Sequence, residues 1–219
     1  YRNEPTGYDW PPGFSEFPSL LYVKNDKAYF KNGHSKNIDV IILCTGYKHH
    51  FSFLPDDLRL KTENRLATSD LYKGTVFNPN PAMFYLGMQD QWYTFNMFDA
   101  QAWYVRDIIL GKIVVPDERL RVLDIAARQK AEERLEDSSA GIFYQGAYVS
   151  ELINETDCPR FEIGMTNRAF IEYVGHKKEG IMTFRDQCFK SAITKRLAPM
   201  HHTRWTEAMD DSLESYLAK

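Results

Sequence analysis

Ile38-Asp39-Val40-Ile41-Ile42-Leu43-Cys44-Thr45-Gly46-Tyr47 is the stretch on which the fold turns. Its first part is β-branched and apolar on both faces, the pattern of a strand buried on both sides in an α/β sheet. The run stops at Thr45-Gly46-Tyr47. A parallel strand needs a crossover connection to its neighbour, and residues 1–45 contain no segment with helical periodicity. The strand is therefore an orphan whose neighbours are expected from outside these residues. Ligands of open α/β sheets sit at the C-terminal ends of strands, and a glycine there permits close backbone approach. The residues alone are also read, more simply, as a plain strand-to-loop turn.

Upstream, residues 1–19 read as loop, punctuated by Pro5, Gly7, Pro11, Pro12, Gly13 and Pro18. Leu20 to Lys24 and Ala28 to Phe30 are short apolar runs separated by a turn at Asn25-Asp26. Lys31-Asn32-Gly33-His34 supplies the next turn, with Asn-Gly as its strongest signal. Downstream, residues 48–80 look irregular. Met83 to Met88 reads as a second short strand ending at Gly87. Phe98, Ala102, Val105 and Ile109 recur at helical spacing, with Thr94 or Asn96 as the expected cap and Gly111 as the stop. Asp117 is expected to cap a second helix reaching about Glu136, its charged face solvated. Tyr144 to Asn154, Asn167 to Gly175 and Thr206 to Leu217 read as further helices. The front is strands and turns, and the rear is helices.

The chain has 219 residues, 43% hydrophobic and 26% charged, the mix of a soluble globular protein. A formal net charge of −3 gives no reason to expect nucleic acid or an anionic membrane surface. No apolar stretch is long enough to cross a bilayer and no secretory signal is present, so a cytoplasmic location is expected. Cys44, Cys158 and Cys188 are far apart and odd in number, which favours free thiols in a reducing compartment. The first residue is Tyr1 and no Met precedes Met83, so a piece of a longer protein is expected.

The chain has no GxGxxG, P-loop, GxSxG or HExxH motif, and thus no dinucleotide phosphate loop of its own. Three regions carry chemical potential. The Thr45-Gly46-Tyr47 strand end is one. The loop Gly87-Met88-Gln89-Asp90-Gln91-Trp92-Tyr93-Thr94-Phe95-Asn96 is the second. It follows a strand, precedes a helix and is rich in amide, acid, hydroxyl and indole groups. Such a loop suits the polar edge of a ring system, or equally a capped loop with buried aromatics. The third is His176 to Asp186, whose basic groups suit a phosphate. The pairs His49-His50 and His201-His202 read as structural or solvated, and no metal site is assigned.

At these residues the sequence resembles the flavin-containing monooxygenases, and within them the bacterial trimethylamine monooxygenases, along essentially its whole length. The resemblance rests on Tyr1-Arg2 with Gly7-Tyr8 and Trp10-Pro11, on Asp39 to Tyr47, and on the block from Gly87 to Trp103. It continues through Ile181 to Asp186 and His201-His202-Thr203. It implies an α/β fold, the C-terminal portion of a flavoprotein with two dinucleotide-binding (FAD and NADPH, Rossmann-like) domains and a helical tail. Residues 1–46 would finish the NADPH-binding domain, 47–111 return to the FAD-binding domain, and 112–219 form a helical region packed on it. The fingerprint loops would belong to an N-terminal half of the same protein.

By the same resemblance Gln91 and Thr94 bind FAD, Arg2 and Arg185 bind NADP, and Thr45, Gly46 and Tyr47 form an interdomain motif. Asp90 and Trp92 lie near substrate. The implied reaction is NADPH- and O₂-dependent N-oxygenation of a small tertiary amine such as trimethylamine, through a C4a-hydroperoxyflavin. The flavin carries that chemistry and no catalytic side chain is assigned. A homodimer is implied. A Baeyer–Villiger or N-hydroxylating relative and a non-catalytic partner-binding domain are the alternatives, and the fragment alone is expected to be inactive.

Overall fold

The computed structural model describes residues 5–44, 49–61, 65–186, 188–190 and 195–197. Both helices and strands are present, as expected, with the strands in the front of the chain and the long helices behind. Strands β1 (Leu20–Lys24), β2 (Lys27–Phe30) and β3 (Ser35–Asn37) form an antiparallel meander. Its tight turns fall where Asn and Gly tolerate a left-handed backbone, at Asn25 (φ 52) and Gly33 (φ 80). β4 (Leu71–Tyr72) and β5 (Val76–Phe77) make a second small hairpin. The expected strand at Met83–Met88 contracts to a single antiparallel bridge, Val76 to Phe84.

The deciding stretch departs from its reading. Residues 38–44 bend at Asp39, are not part of a sheet, and are not buried. Val40, Ile41, Ile42 and Leu43 are 75%, 47%, 81% and 79% exposed. The amide of Ile38 donates to the Asp26 carbonyl at 2.8 Å, which attaches the start of the segment to the meander. Beyond it, no described strand runs alongside. A buried strand is a property of its neighbours as much as of its sequence, because unpaired backbone groups and bare apolar side chains are stable only when covered. β1 has the same character, with Leu20, Leu21, Tyr22 and Val23 all exposed on both faces.

The rear is a helical body. Helix α1 spans Thr94–Ile109, α2 Glu118–Glu132, α3 Ser138–Asn154 and α4 Ile163–Glu179. Asp117 caps α2 through the Leu120 amide, as expected, and Asp137 caps α3 through the Ala140 amide. Gly111 (φ 70) ends α1. α3 buries Ile142, Gln145, Gly146, Val149, Leu152 and Ile153, a stripe at helical spacing. It packs on α1 through Met97, Ala100 and Tyr104. Burying each large apolar side chain of this stripe contributes about 1.5–3 kcal/mol. A second cluster joins Leu60, Leu71, Phe77 and Tyr85, and a third joins Tyr72 and Val76 to Ile125 of α2. The expected helix at residues 206–217 lies outside the described residues, as do Arg2, Thr45, Gly46, Tyr47, His201 and His202.

Candidate functional site

The loop Gly87–Tyr93 lies at the junction between the small hairpin and α1. Its backbone is tied down by side chains from two helices. Gly87 sits at φ 71, and a Cβ there would meet the Phe98 ring at 2.6 Å, so glycine is required on both counts. The Gln101 Oε1 of α1 accepts from the Gly87 amide at 2.8 Å. The other end of the same side chain donates to Gln89 Oε1 at 2.8 Å and to the Tyr148 hydroxyl at 2.9 Å. Tyr148 donates in turn to the Lys73 carbonyl at 2.9 Å.

Gln145 of α3 holds the far end of the loop. Its Oε1 accepts from the amides of Trp92 and Tyr93, at 2.5 and 2.9 Å, and its Nε2 donates to the Asp90 carbonyl at 2.7 Å. Gln101 and Gln145 are 0% and 1% exposed, so nothing in solvent competes for these bonds. Tyr93 donates to Asn167 Oδ1 of α4 at 2.7 Å, and burial pushes its phenol well above the usual range. Burial likewise pushes the Tyr148 phenol up to about 12, against the opposing pull of its hydrogen bonds from Gln101 and Gln89, so it remains a donor at any physiological pH.

The arrangement changes the capping expectation. Neither Thr94 nor Asn96 caps α1. Tyr93 occupies the cap position without a side-chain bond to the helix. Gln145 supplies the acceptor to the preceding amides from across the core, and no local cap is used. Thr94 begins the helix at φ 30 and is exposed, as is Phe95. The amides of a first helical turn have no intrahelical acceptor and carry partial positive charge, so this end of α1 favours a carbonyl or anionic edge.

Four of the sequence-derived site residues share this loop and helix start. Asp90 is exposed and accepts from the Gln91 amide at 2.9 Å. Gln91 is half-buried and its Nε2 donates to the Gly87 carbonyl at 3.0 Å, within the loop. Trp92 lies edge-on to Phe170 of α4, centroids 6.5 Å apart, and close over Gly141 of α3, where an added Cβ would come within 3.2 Å of the indole nitrogen. Thr94 is the open hydroxyl.

Arg185 is carried elsewhere, on the short 3-10 turn Phe184–Asp186 after α4. Its guanidinium stacks over the Phe184 ring at 4.9 Å and forms no ion pair among the described residues. The Lys177 ammonium approaches the same ring at 5.7 Å and Tyr8 at 5.7 Å. Lys177 of α4 thus lies between the Tyr8 ring and the turn that carries Arg185. Among the described residues, no three His, Cys, Asp or Glu side chains gather as for a metal.

Sequence reasoning missed Gln101, Gln145, Tyr148 and Asn167. A signal existed for Gln101 and Gln145: each is a polar residue on the apolar stripe of its helix, and a buried amide at such a position needs partners.

The loop thus joins the small hairpin to α1, is braced by buried amides from two helices, and opens on a helix start without a side-chain cap. The particular family follows from comparison with known proteins. The chain belongs to the flavin-binding monooxygenase-like family, whose model matches residues 17–158. It is 58% identical over 217 residues to a trimethylamine monooxygenase of Roseovarius sp. (strain 217), a match covering 99% of this chain and 49% of that protein. It superposes on the crystal structure of Tmm from Pelagibacter sp. strain HTCC7211 with a TM-score of 0.85 at 45% identity, covering 99% of this chain and 49% of that one. An S-allyl-L-cysteine S-oxygenase from Allium sativum shares the fold, with a TM-score of 0.62 at 23% identity over 84% of this chain and 43% of that one. The chain spans about half the length of the curated relatives it matches. No described helix is long and apolar enough to cross a membrane.

Proposed function

We propose that the chain is the C-terminal half of an NADPH- and O₂-dependent monooxygenase that converts a small tertiary amine such as trimethylamine to its N-oxide. The carrying observation is 58% identity across 99% of the chain to a protein named for that activity. In this reading residues 1–46 finish the NADPH-binding domain, 47–111 return to the FAD-binding domain, and 112–219 pack on it. The exposed apolar surface of β1 and residues 40–43 is the face covered by the N-terminal half, which would bring the phosphate loops this sequence lacks. Leu120, Val122 and Leu123, exposed on α2, offer an apolar face for a homodimer.

The residues present fit a flavin. The α1 start has no side-chain cap from Tyr93, and its Thr94 hydroxyl is open beside it, a pairing suited to the carbonyl edge of an isoalloxazine or to a ribityl hydroxyl. Gln91 and Thr94 would hold FAD, Arg2 and Arg185 the NADP phosphates, and Thr45, Gly46 and Tyr47 the passage between domains. Arg185 and the neighbouring Lys177 are cations held on one ring, which suits a phosphate ester. When bound, the flavin supplies the two-electron transfer and oxygen activation that no side chain provides.

The chain's own contribution is positional. The braced loop fixes the orientation of Gln91 and Thr94, and Asp90 and Trp92 border the substrate space. The packed aromatics Trp92, Phe170 and Tyr93 exclude water behind it. The substrate is the unprotonated amine, because the ammonium has no lone pair to accept oxygen. Overall, one amine, one O₂, one NADPH and one proton give one N-oxide, one water and NADP⁺.

The test is to combine this chain with its N-terminal half, load FAD, and measure trimethylamine-dependent NADPH oxidation with N-oxide detection. Stoichiometric N-oxide supports the reading. A flavin-loaded protein that oxygenates ketones instead, or one that consumes no NADPH with any amine, removes it.

A further inference from the structure

We propose that Gln101 and Gln145 are positioning residues that set the Gly87–Tyr93 loop against the flavin, with Gln145 clamping from α3 the two residues that lead into α1 and leaving the first-turn amides of that helix open. The proposal rests on the flavin-binding reading of that loop. Three observations carry it. Both amides are fully buried on apolar helix stripes, where a glutamine is retained only at a cost that its hydrogen bonds must offset. Among the described residues, all their hydrogen-bond partners serve one object: Gly87, Asp90, Trp92 and Tyr93 are loop backbone, and Gln89 is the loop's own side chain, with Tyr148 linking the web to the Lys73 carbonyl. The helix that begins at the end of the loop has no cap of its own.

The geometry has a purpose beyond stability. A buried apolar side chain of similar shape at either position would fill the same space and leave the loop free to choose among conformations. The two amides instead fix one, from both ends, with the loop's outer residues Asp90, Gln91 and Thr94 left facing outward or into the loop. Around Gly74, a Cβ would strike Gln89 Nε2 at 2.0 Å and the Tyr148 hydroxyl at 2.6 Å, so the hairpin turn is also shaped to admit this web. Preorganised orientation of a binding loop is the means by which a protein tunes a cofactor it does not react with.

The experiment uses the assembled, flavin-loaded protein carrying Q145M, which removes every hydrogen bond at nearly constant volume, and Q145E, which keeps the acceptor. A carboxylate keeps the acceptor for the Trp92 and Tyr93 amides but gives up the donor to the Asp90 carbonyl, so Q145E is a partial rescue. In Q145M, amide exchange at Trp92 and Tyr93 should accelerate by roughly tenfold to hundredfold, the range expected for losing two buried hydrogen bonds. Exchange at Val149 and Leu152 in the same helix should not change. Hydrogen peroxide released per NADPH consumed should rise several-fold, and Q145E should return both readouts part of the way to wild type. Q101M should raise peroxide release in the same way while exposing the Gly87 amide.

Unchanged protection of Trp92 and Tyr93 in Q145M overturns the clamp. Acceleration spread evenly over α3, with no rescue by Q145E, shows a merely structural glutamine and also overturns it. Faster loop exchange with unaltered peroxide release overturns the positioning role. A wild-type assembly that takes up no flavin sinks the functional reading and the positioning role with it, and the exchange data then separately report whether the clamp exists.

Discussion

Gly146 and Gly175 look alike in the sequence, each a glycine inside a helical pattern, and the structure separates them. A Cβ on Gly146 would lie 2.5 Å from Asn167 Oδ1 and 3.0 Å from the Tyr93 hydroxyl, the two atoms of the bond that joins the loop to α4. A Cβ on Gly175 meets nothing within 4 Å. Alanine is the better helix former by about 1 kcal/mol, so Gly175→Ala should stabilise by about 0.5–1 kcal/mol. Gly146→Ala should destabilise by about 1–3 kcal/mol, because overpacking against a fixed interhelical bond outweighs propensity. Urea unfolding of both variants checks the pair. Equal shifts would show that the α3–α4 contact is looser than drawn.

The four helices were mostly legible from the 3.6-residue period and their stop and start signals, Asp117 and Gly111 among them. What was not legible is how the elements are fastened, because that depends on residues far apart in sequence. Glu132 of α2 accepts from the amides of Leu66 and Ala67, and Arg128 bridges Asp124 and Glu151. Lys73, in the β4–β5 turn, pairs with Glu151 of α3 and with Glu155 at its C-terminal cap. The charges on α2 that the sequence presented as a solvated face are therefore partly a seam between α2, α3 and the hairpin. The Gln145 clamp on the loop is invisible for the same reason.

The seam has a pH signature. Burial opposes the charge on Glu151, but Arg128 and Lys73 outweigh it and hold its carboxyl below the usual value. A depressed carboxyl adds stability that is fully present above its unfolded value and is lost as pH falls through its lower folded value. Burial likewise opposes the charge on Lys73, and Glu155 and Glu151 raise it above its usual value, so its contribution fades only in strong alkali. Thermal unfolding midpoints should therefore fall on acidification through the carboxylate range. Glu151→Gln should flatten part of that slope and cost about 1 kcal/mol or less at neutral pH, since the pair is partly solvated. An unchanged acid slope in the variant would place the effect elsewhere.

At the scale of the molecule, the stretch that decided the fold class was read correctly in pattern and wrongly in state. Ile38 to Cys44 has the composition of a core strand and lies open, with Ile42 81% exposed. The periodicity of a sequence reports the surroundings for which it is written, and half of the length of the matched relatives is not in this chain. The exposed side chains of β1 add to the same face. A surface substitution away from special features changes stability by about 0.5 kcal/mol or less, so Ile42→Lys should barely alter unfolding of the chain by itself. If residues 40–43 are a strand completed by the N-terminal half, the same lysine would be buried without a partner there, at a cost large enough to abolish assembly. Mixing each version with that half and following complex formation and retained flavin absorbance reads both effects. Wild type should give a one-to-one yellow complex, and Ile42→Lys none. Normal assembly of the variant would mean that this segment faces solvent in the whole protein too, and that another surface joins the two halves.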